Sequence, residues 1–289
     1  MGAKTLHVVA GELEEWASQD HPRVPLGYDC FDSRTNGGIA NGEVAMVMAR
    51  TEVGKTWFAV NVMVNNPSTP CVFFSIEMAG RYVLERLAAV YTNTPASEVQ
   101  KEVMETGGSE AIRKTVREMP HLWIDDSQAK TIPEMMEEVE ALDPRPKLVV
   151  IDYLELIKSF GMGRMEIVDQ LAWNVKEFAR MTDTAVLVVH QVKRGEFDKG
   201  SMNQGHRPLT KTDARFGGEM AVDYQIGLYR PAMSPNITEE TRYMMRNQMK
   251  FQILKNRNGP PGPFEGTQLY LDPDTWRMSD IRRNTGGMW

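Results

Sequence analysis

Short apolar runs alternate with helical stretches through much of the chain, and this alternation is the feature that most constrains the fold. The runs fall at 44–49, 71–76, 122–125, 148–152 and 185–190. Helical spacing of apolar residues occurs between them, at 55–65, 79–91, 131–141 and 166–182. Buried apolar strands that alternate with helices are typical of a mainly parallel sheet. The sequence therefore predicts an α/β fold with a central sheet and helices on both of its faces.

The C-terminal part of the chain has a different pattern. From residue 222 onward, three strand-like runs, DYQIGLYR, MKFQILK and TQLYLD, follow one another without a helical pattern between them. Strands that are joined without crossover helices pair most readily as antiparallel neighbours. We therefore expect an antiparallel C-terminal extension of the same sheet.

The stretch ARTEVGKT carries the strongest chemical signal. It begins at the end of the first apolar run, opens a helix, and ends in the Gly-Lys-Thr of a phosphate loop. Backbone N–H groups at a helix N-terminus favour bound phosphate oxygens, the lysine reaches the β- and γ-phosphates, and the threonine hydroxyl binds Mg²⁺. The sequence therefore predicts an ATP and Mg²⁺ site whose loop residues are Ala49, Arg50, Thr51, Glu52, Val53, Gly54, Lys55 and Thr56.

Polar side chains follow three of the other apolar runs. Asp152 ends the run LVVID, Glu77 follows FFSI, and Gln191 follows AVLVVH. The carboxyl ends of parallel strands meet at one edge of a sheet, so we expect these side chains beside the phosphate loop. There Asp152 can hold Mg²⁺, Glu77 can activate the attacking water, and Gln191 can sense the γ-phosphate. For Glu77, an acid that interacts with a helix N-terminus is an equally good interpretation.

The stretch FQILKNRNGPPG places two cations at the tip of a strand-like run. Side chains two residues apart on a strand share a face, so Lys255 and Arg257 should point the same way. No acidic residue stands beside them in the sequence. We therefore expect the pair to meet an anion.

A second basic region lies between residues 193 and 215. It contains six basic and three acidic residues, three glycines and one aromatic residue, and it has no helical or strand periodicity. Because the whole chain has a net charge of −6, nucleic-acid binding would have to come from such local patches. Lys193 and Arg194 are therefore candidates for contact with a phosphate backbone. The alternative is an ordinary solvated loop.

Composition excludes several other classes of protein. Only two cysteines are present, which is too few for a disulfide framework, and the histidines lack zinc-binding spacing. No apolar run is long enough to span a membrane, and the N-terminus does not have the order of a secretory signal. We expect a cytoplasmic protein without a membrane partner.

These motifs, in this order, resemble one known family. The phosphate loop, FFSIEM followed by RYVLERLA, LWIDD, LVVIDYLELI, HQVKR and KNRNGPPG are similar to the C-terminal RecA-like motor domain of DnaB-type replicative hexameric helicases, over about residues 24–280. The resemblance implies a RecA-like P-loop NTPase fold and a homo-oligomeric ring, a hexamer in the family. Such rings hydrolyse ATP between subunits and move on single-stranded DNA.

The resemblance also implies roles for individual residues. Lys55 and Thr56 match the phosphate-loop pair, Glu77 the catalytic base, Asp152 the Mg²⁺-associated acid and Gln191 the γ-phosphate sensor. Lys255 and Arg257 match the pair that one subunit inserts into its neighbour's ATP site.

The family's DNA-contacting element, D-L-R-E-S-G, matches residues 213–218. Arg215 and Gly218 are therefore expected to contact the DNA backbone. Phe216 replaces the family's glutamate and is expected to stack on a base.

The chain departs from the family at two places. Thr51-Glu52-Val53 stands where the family often has Pro-Ser-Met, but these positions contribute mainly backbone, so ATP binding should persist. Residues 1–23 stand where the family carries an additional N-terminal domain. Their apolar spacing predicts a helix that resembles the family's linker helix, which docks on the adjacent subunit, while 24–289 form the ATPase domain. A stand-alone motor of this kind resembles proteins encoded by bacteriophages.

Two other functions also fit the residues. One is a RecA-like DNA-processing or recombination ATPase that does not unwind DNA and that could be linked to a nuclease. The other is a regulatory ring ATPase that acts on protein. A replication or recombination protein is an expected partner in the first two cases, and stimulation of ATP hydrolysis by single-stranded DNA separates them from the third.

Overall fold

The computed structural model describes residues 3–18, 22–127, 130–158, 164–192, 205–210, 213 and 221–281. The strands within these ranges are β1 (Arg23–Val24), β2 (Ile39–Ala40), β3 (Val44–Ala49), β4 (Cys71–Ser75), β5 (Leu122–Asp125), β6 (Leu148–Asp152), β7 (Ala185–Gln191), β8 (Tyr224–Tyr229), β9 (Gln248–Asn256), β10 (Thr267–Leu271) and β11 (Met278–Asp280). The helices are α1 (Leu6–Ser18), α2 (Asp29–Asp32), α3 (Lys55–Asn65), α4 (Gly80–Thr92), α5 (Ala96–Thr106), α6 (Glu110–Glu118), α7 (Ile132–Ala141), α8 (Arg164–Thr182) and α9 (Glu239–Met245).

Nine of the strands form one sheet in the order β11-β10-β9-β8-β3-β7-β6-β4-β5. The six strands from β8 to β5 are parallel to one another, whereas β9, β10 and β11 are antiparallel to their neighbours. This arrangement confirms the predicted mainly parallel sheet with an antiparallel extension. The extension begins one strand later than expected, because β8 itself pairs in parallel with β3.

The prediction that no helix separates the C-terminal strands was wrong. Helix α9 lies between β8 and β9 and begins after Thr238, whose hydroxyl oxygen accepts a hydrogen bond from the Thr241 amide at 3.1 Å. The helix has seven residues, and none of them is buried. Without a buried side, so short a helix leaves no apolar periodicity in the sequence.

Helices α5 and α6 were also absent from the predicted alternation. Each buries a single residue, Val99 in α5 and Thr115 in α6. Their apolar residues do recur at helical spacing, as at Val99 and Val103 in α5 and at Ile112 and Val116 in α6, so the sequence contained a helical signal that the predicted alternation did not use. Both helices pack against the neighbouring α4.

Apolar cores lie on both faces of the sheet. Side chains alternate along β3, so that Val47 packs on the face covered by α3 and α4, and Met46 on the face covered by α7 and α8. All six residues of β3 are buried. The continuous apolar run in the sequence is thus explained by a strand that has helices on both sides.

Helix α1 has the predicted helical conformation, but several of its apolar side chains are not covered by the described part of the chain. Leu6, Val9 and Leu13 are all exposed. Among the described residues, none of the helices combines the length and apolar character that crossing a bilayer requires.

Candidate active site

The phosphate loop connects β3 to α3, and its conformation depends on glycine. Gly54 has φ +112°, and a Cβ atom at this position would lie 2.7 Å from the ring of Trp276. Gly54 also caps α3 without a side-chain hydrogen bond. A helix N-terminus whose first amides are not bound by a capping side chain can accept a phosphate group.

Asp152 and Thr56 form the centre of the site. Thr56 Oγ1 donates a hydrogen bond to Asp152 Oδ2 at 2.7 Å, and the side chain of Asp152 is buried. Burial raises the pKa of Asp152, and although the Thr56 hydrogen bond and Lys55 lower it, nearby Glu77 raises it further. Asp152 takes part in none of the ion pairs among the described residues. A hydroxyl and a buried, weakly neutralised carboxylate are oxygen donors of the kind that Mg²⁺ prefers.

Lys55 lies at the start of α3, close to these acids. Its Nζ is 3.4 Å from the carbonyl oxygen of Arg50. Burial lowers the pKa of Lys55, and three carboxylates, those of Asp152, Glu155 and Glu77, act against that shift. The lysine and the predicted metal-binding and catalytic acids are therefore within electrostatic range of one another.

Gln191 touches the phosphate loop directly. It lies opposite Ala49 in the pairing of β7 with β3, and its Nε2 donates to Thr51 Oγ1 at 3.1 Å. Its backbone amide donates to Glu155 Oε1 at 3.3 Å, and the same oxygen lies 3.1 Å from His190 Nδ1. Sequence reasoning missed Glu155, although it stands three residues after Asp152.

Glu77 is exposed and lies in the bend between β4 and α4. Two hydrogen bonds hold this bend: Ser75 Oγ donates to the Met78 carbonyl at 2.6 Å, and the Gly80 amide donates to Asp126 Oδ2 at 2.6 Å. The first amide of α4 is therefore bound by Asp126, not by Glu77. This geometry does not support the interpretation of Glu77 as an acid at a helix N-terminus, and it leaves its carboxylate available beside Asp152.

A stack of aromatic and cationic groups lies next to the loop. The rings of Trp57 and Trp276 are 5.4 Å apart with an interplanar angle of 7°. The guanidinium of Arg86 lies 4.8 Å from the Trp57 ring, and that of Arg230 lies 5.0 Å from the Trp276 ring. Sequence reasoning missed this group, because only Trp57 is close to the phosphate loop in the chain.

Lys255 and Arg257 lie at the opposite edge of the sheet. Lys255 pairs with Gln225 at the start of β8, the amino end of the parallel strands, whereas the phosphate loop follows their carboxyl end. Along a six-residue strand such as β3 this separation is roughly 15–20 Å. Arg257 therefore lies far from the phosphate loop of its own chain.

The fold places an acid beside this pair, although none is near it in the sequence. Asp223, just before β8, lies 2.9 Å from Arg257 through its Oδ1, and Lys255 Nζ donates to the Val222 carbonyl at 2.7 Å. Both cationic side chains reach the same two-residue segment. Sequence proximity could not reveal this acid, because 34 positions separate it from Arg257.

The predicted DNA-contacting residues, Lys193, Arg194, Arg215, Phe216 and Gly218, lie outside the described residues. Asp213, at the start of that element, is described. It lies 3.5 Å from Arg50 of the phosphate loop, whose guanidinium also donates to the Arg207 carbonyl at 3.4 Å.

Among the described residues, no group of three or more His, Cys, Asp or Glu side chains could hold a metal ion by itself.

Comparison with known proteins identifies the family. The family model for the DnaB-like helicase C terminal domain matches residues 23–274. The replicative DNA helicases DnaC of Bacillus subtilis and DnaB of Geobacillus stearothermophilus are each 27% identical to the chain over 251 residues, which covers 83% of this chain and 53% of the relative. The chain thus spans about half the length of the curated relatives it matches.

Solved structures agree on the fold. A structure solved as an isolated ATPase domain has a TM-score of 0.77 at 22% identity, covering 96% of this chain and 98% of that one. A DnaB-like replicative helicase, solved in a study of its interactions with primase, also gives a TM-score of 0.77 at 22% identity, covering 95% of this chain and 68% of that one. Since the family model covers most of the chain, including the phosphate loop, Asp152 and Arg257, the protein belongs to the family of DnaB-like helicase C-terminal domains.

Proposed function

We propose that the chain is the ATP-hydrolysing motor of a ring-shaped DNA helicase that moves on single-stranded DNA. The observation that carries the proposal is the arrangement of the two sheet edges. Thr56, Asp152, Lys55 and Glu77 converge at one edge, and the exposed Arg257 lies at the other. A site that is divided in this way is suited to hydrolysis between two subunits.

At the carboxyl edge, the side chains supply positioning and charge. The loop amides and Lys55 bind the phosphates, and Thr56 and Asp152 hold Mg²⁺, which when bound neutralises charge on the phosphate oxygens. Glu77, whose carboxylate is exposed, orients a water molecule for attack on the γ-phosphate and takes its proton. Gln191 bonds to Thr51 of the loop and is placed to respond to the γ-phosphate.

At the amino edge, Arg257 supplies a cation to the ATP of a neighbouring copy, with Lys255 beside it. The Arg257 side chain is 65% exposed although it is paired with Asp223. The distance from its own phosphate loop supports a role in trans over the same role within one subunit. A cation supplied in trans contributes on the order of 10³-fold or more to the rate of phosphoryl transfer.

The remaining roles follow from the family. Lys193, Arg194, Arg215, Phe216 and Gly218 contact single-stranded DNA in the channel of a hexameric ring. Helix α1, in the linker segment 1–23, docks through its exposed apolar side chains on the adjacent subunit. A replication protein is the expected partner. The matched relatives are replicative DNA helicases, so a recombination ATPase or a ring that acts on protein is not favoured.

The central experiment measures ATP hydrolysis with single-stranded DNA for Arg257→Ala. We expect kcat to fall on the order of 10³-fold while the affinity for ATP changes little, because the residue acts on the neighbour's nucleotide. Equal losses of affinity and rate would contradict the inter-subunit role.

Mixing experiments separate the two edges. Arg257→Ala and Glu77→Ala subunits are each inactive alone, but a hybrid interface can combine an intact Glu77 with an intact Arg257. We therefore expect mixtures to regain measurable hydrolysis. A ring whose mixtures stay inactive at every ratio does not divide its active site in this way.

A further inference from the structure

We propose that Asp223 is a positioning residue for Arg257, holding its guanidinium in the orientation that reaches the nucleotide of a neighbouring copy. This inference rests on the proposed function, in which Arg257 acts in trans. It adds a residue that acts through Arg257.

The two carboxylate oxygens of Asp223 have different partners. Oδ2 accepts from the Val44 amide at 2.8 Å and from Lys176 Nζ at 2.6 Å, whereas Oδ1 lies 2.9 Å from Arg257 Nη1. The side chain is only 2% exposed. Oδ2 therefore fixes the carboxylate to the start of β3 and to α8, and Oδ1 presents a fixed acceptor to Arg257.

The backbone at the tip of β9 is held by other contacts. The Arg257 amide donates to the Asp223 carbonyl at 3.0 Å. Asn256 Nδ2 donates to the Arg34 carbonyl at 3.1 Å, and Asn258 Nδ2 donates to the Tyr224 hydroxyl at 2.7 Å. Because these bonds do not involve the Asp223 carboxylate, its contribution is to the direction of the Arg257 side chain.

The pairing leaves Arg257 able to bind a second anion. A guanidinium has five N–H donors in a rigid plane, and the contact with Asp223 is made through Nη1. The side chain remains 65% exposed. An exposed arginine without such a partner samples many rotamers and loses that conformational entropy when it binds an anion. A fixed carboxylate behind the guanidinium therefore reduces the entropic cost of binding a phosphate.

The test is ATP hydrolysis by the full chain with single-stranded DNA, comparing Asp223→Asn with the wild type. We expect kcat to fall roughly 10- to 100-fold and the KM for ATP to change less than about threefold, as for a misplaced catalytic group. In an Arg257→Ala background, Asp223→Asn should add little further loss. An unchanged kcat in a folded Asp223→Asn protein overturns the inference.

Lys176→Met is the matched control. It removes the cation bound to Oδ2 and keeps the contact between Oδ1 and Arg257. We expect its kcat to stay within about threefold of the wild type. If Lys176→Met lowers kcat as much as Asp223→Asn does, the cluster acts only as a structural support and the inference fails.

ATP hydrolysis by mixed rings distinguishes a positioning role for Asp223 from a purely structural one. Asp223→Asn subunits keep their own Glu77, and Glu77→Ala subunits keep a correctly held Arg257. Mixtures should therefore hydrolyse ATP faster than the sum of the separate proteins, whereas a defect confined to the variant's own ATP site would show no such gain.

If Asp223→Asn alone does not fold, the double variant Asp223→Asn/Lys176→Met is used in the same assays instead. The double variant removes one charge of each sign. Normal hydrolysis by the folded double variant overturns the inference equally well.

The inference and the proposed function can also fail separately. An Arg257→Ala protein with unchanged kcat contradicts the proposed function, whereas loss in Arg257→Ala without loss on changing Asp223 contradicts only the positioning role.

Discussion

The two edges of the parallel sheet each bury an aspartate, and the surroundings of the two carboxylates differ. Asp223 at the amino edge is bound by Lys176, Arg257 and the Val44 amide. Asp152 at the carboxyl edge has the Thr56 hydroxyl at hydrogen-bond distance, and burial raises its pKa. A buried carboxylate with two bonded cations is costly to remove, because its loss leaves those cations without a partner, while a buried carboxylate that lacks such partners is suited to bind a cation that arrives with a ligand.

The largest expected effect on stability concerns Asp223. Replacing it with Asn leaves the largely buried Lys176 without its charged partner, so the free energy of unfolding should fall by about 3–5 kcal/mol, as when one member of a buried pair is removed. Urea titration measures this. The control is Glu118→Gln, which removes the exposed ion pair with Arg117 and should change the free energy by less than about 1 kcal/mol. Similar values for the two variants would contradict the description of the amino edge as a neutralised cluster.

Asp152→Asn should leave the stability of the fold nearly unchanged and should instead lower ATP hydrolysis. Burial disfavours the charged form, so the raised pKa means that the ionised carboxylate is less stable in the folded chain than in the unfolded one. A neutral amide removes that cost, and the free energy of unfolding at neutral pH should stay equal or rise slightly. Mg²⁺-dependent ATP hydrolysis should fall roughly 10²-fold or more. A loss of stability as large as that of Asp223→Asn would remove the contrast between the edges.

Gly54→Ala tests whether the carboxyl edge depends on the close approach of Trp276. The new Cβ would lie 2.7 Å from the ring, and the alanine would have to adopt φ +112°. ATP affinity should fall on the order of tenfold, since loop or ring must move. Gly37→Ala has a similar φ of +104° but nothing within 4 Å of its Cβ, so nucleotide titration should show unchanged affinity. An equal loss in both variants would indicate a general effect of backbone strain.

The smallest effect is expected in the pH dependence of ATP binding. Burial lowers the pKa of Lys55, so its ammonium is lost at a lower pH than that of an exposed lysine. ATP affinity should therefore fall as the pH rises from neutral into the alkaline range, and it should begin to fall at a lower pH than for a lysine with an unshifted pKa. Lys55→Arg keeps its charge over this range, and its affinity, whatever its absolute value, should change less with pH. Identical profiles for the two proteins would mean that another group titrates.

Local sequence predicted the carboxyl edge well, because strand, loop and helix follow one another there without a break. Lys55 and Thr56 stand at the start of α3 by chain order alone. Asp152 and Gln191 end β6 and β7, and Glu77 follows β4, and the helix-containing connections determine the direction of these strands. The strands predicted at these places were correct to within a residue. The catalytic roles of these residues remain predictions that the proposed variants address.

Contacts between distant segments could not be predicted in this way. The stack of Trp57 and Trp276 joins α3 to the β10–β11 hairpin. Glu155, three residues after the end of β6, contacts His190 and Gln191 on the neighbouring β7. Such features depend on which surfaces meet after folding, and residue spacing contains no record of that.

The sequence by itself determined the α/β sheet, the phosphate loop and the basic strand tip, because each follows from periodicity or from the chemistry of consecutive residues. Tertiary structure alone decided that Arg257 lies at the sheet edge opposite its own phosphate loop and that a buried Asp223 holds it. Strand order and antiparallel pairing set both facts. The physical reason is that the distances across the sheet decide which anions Arg257 can reach, and only the packed chain defines those distances.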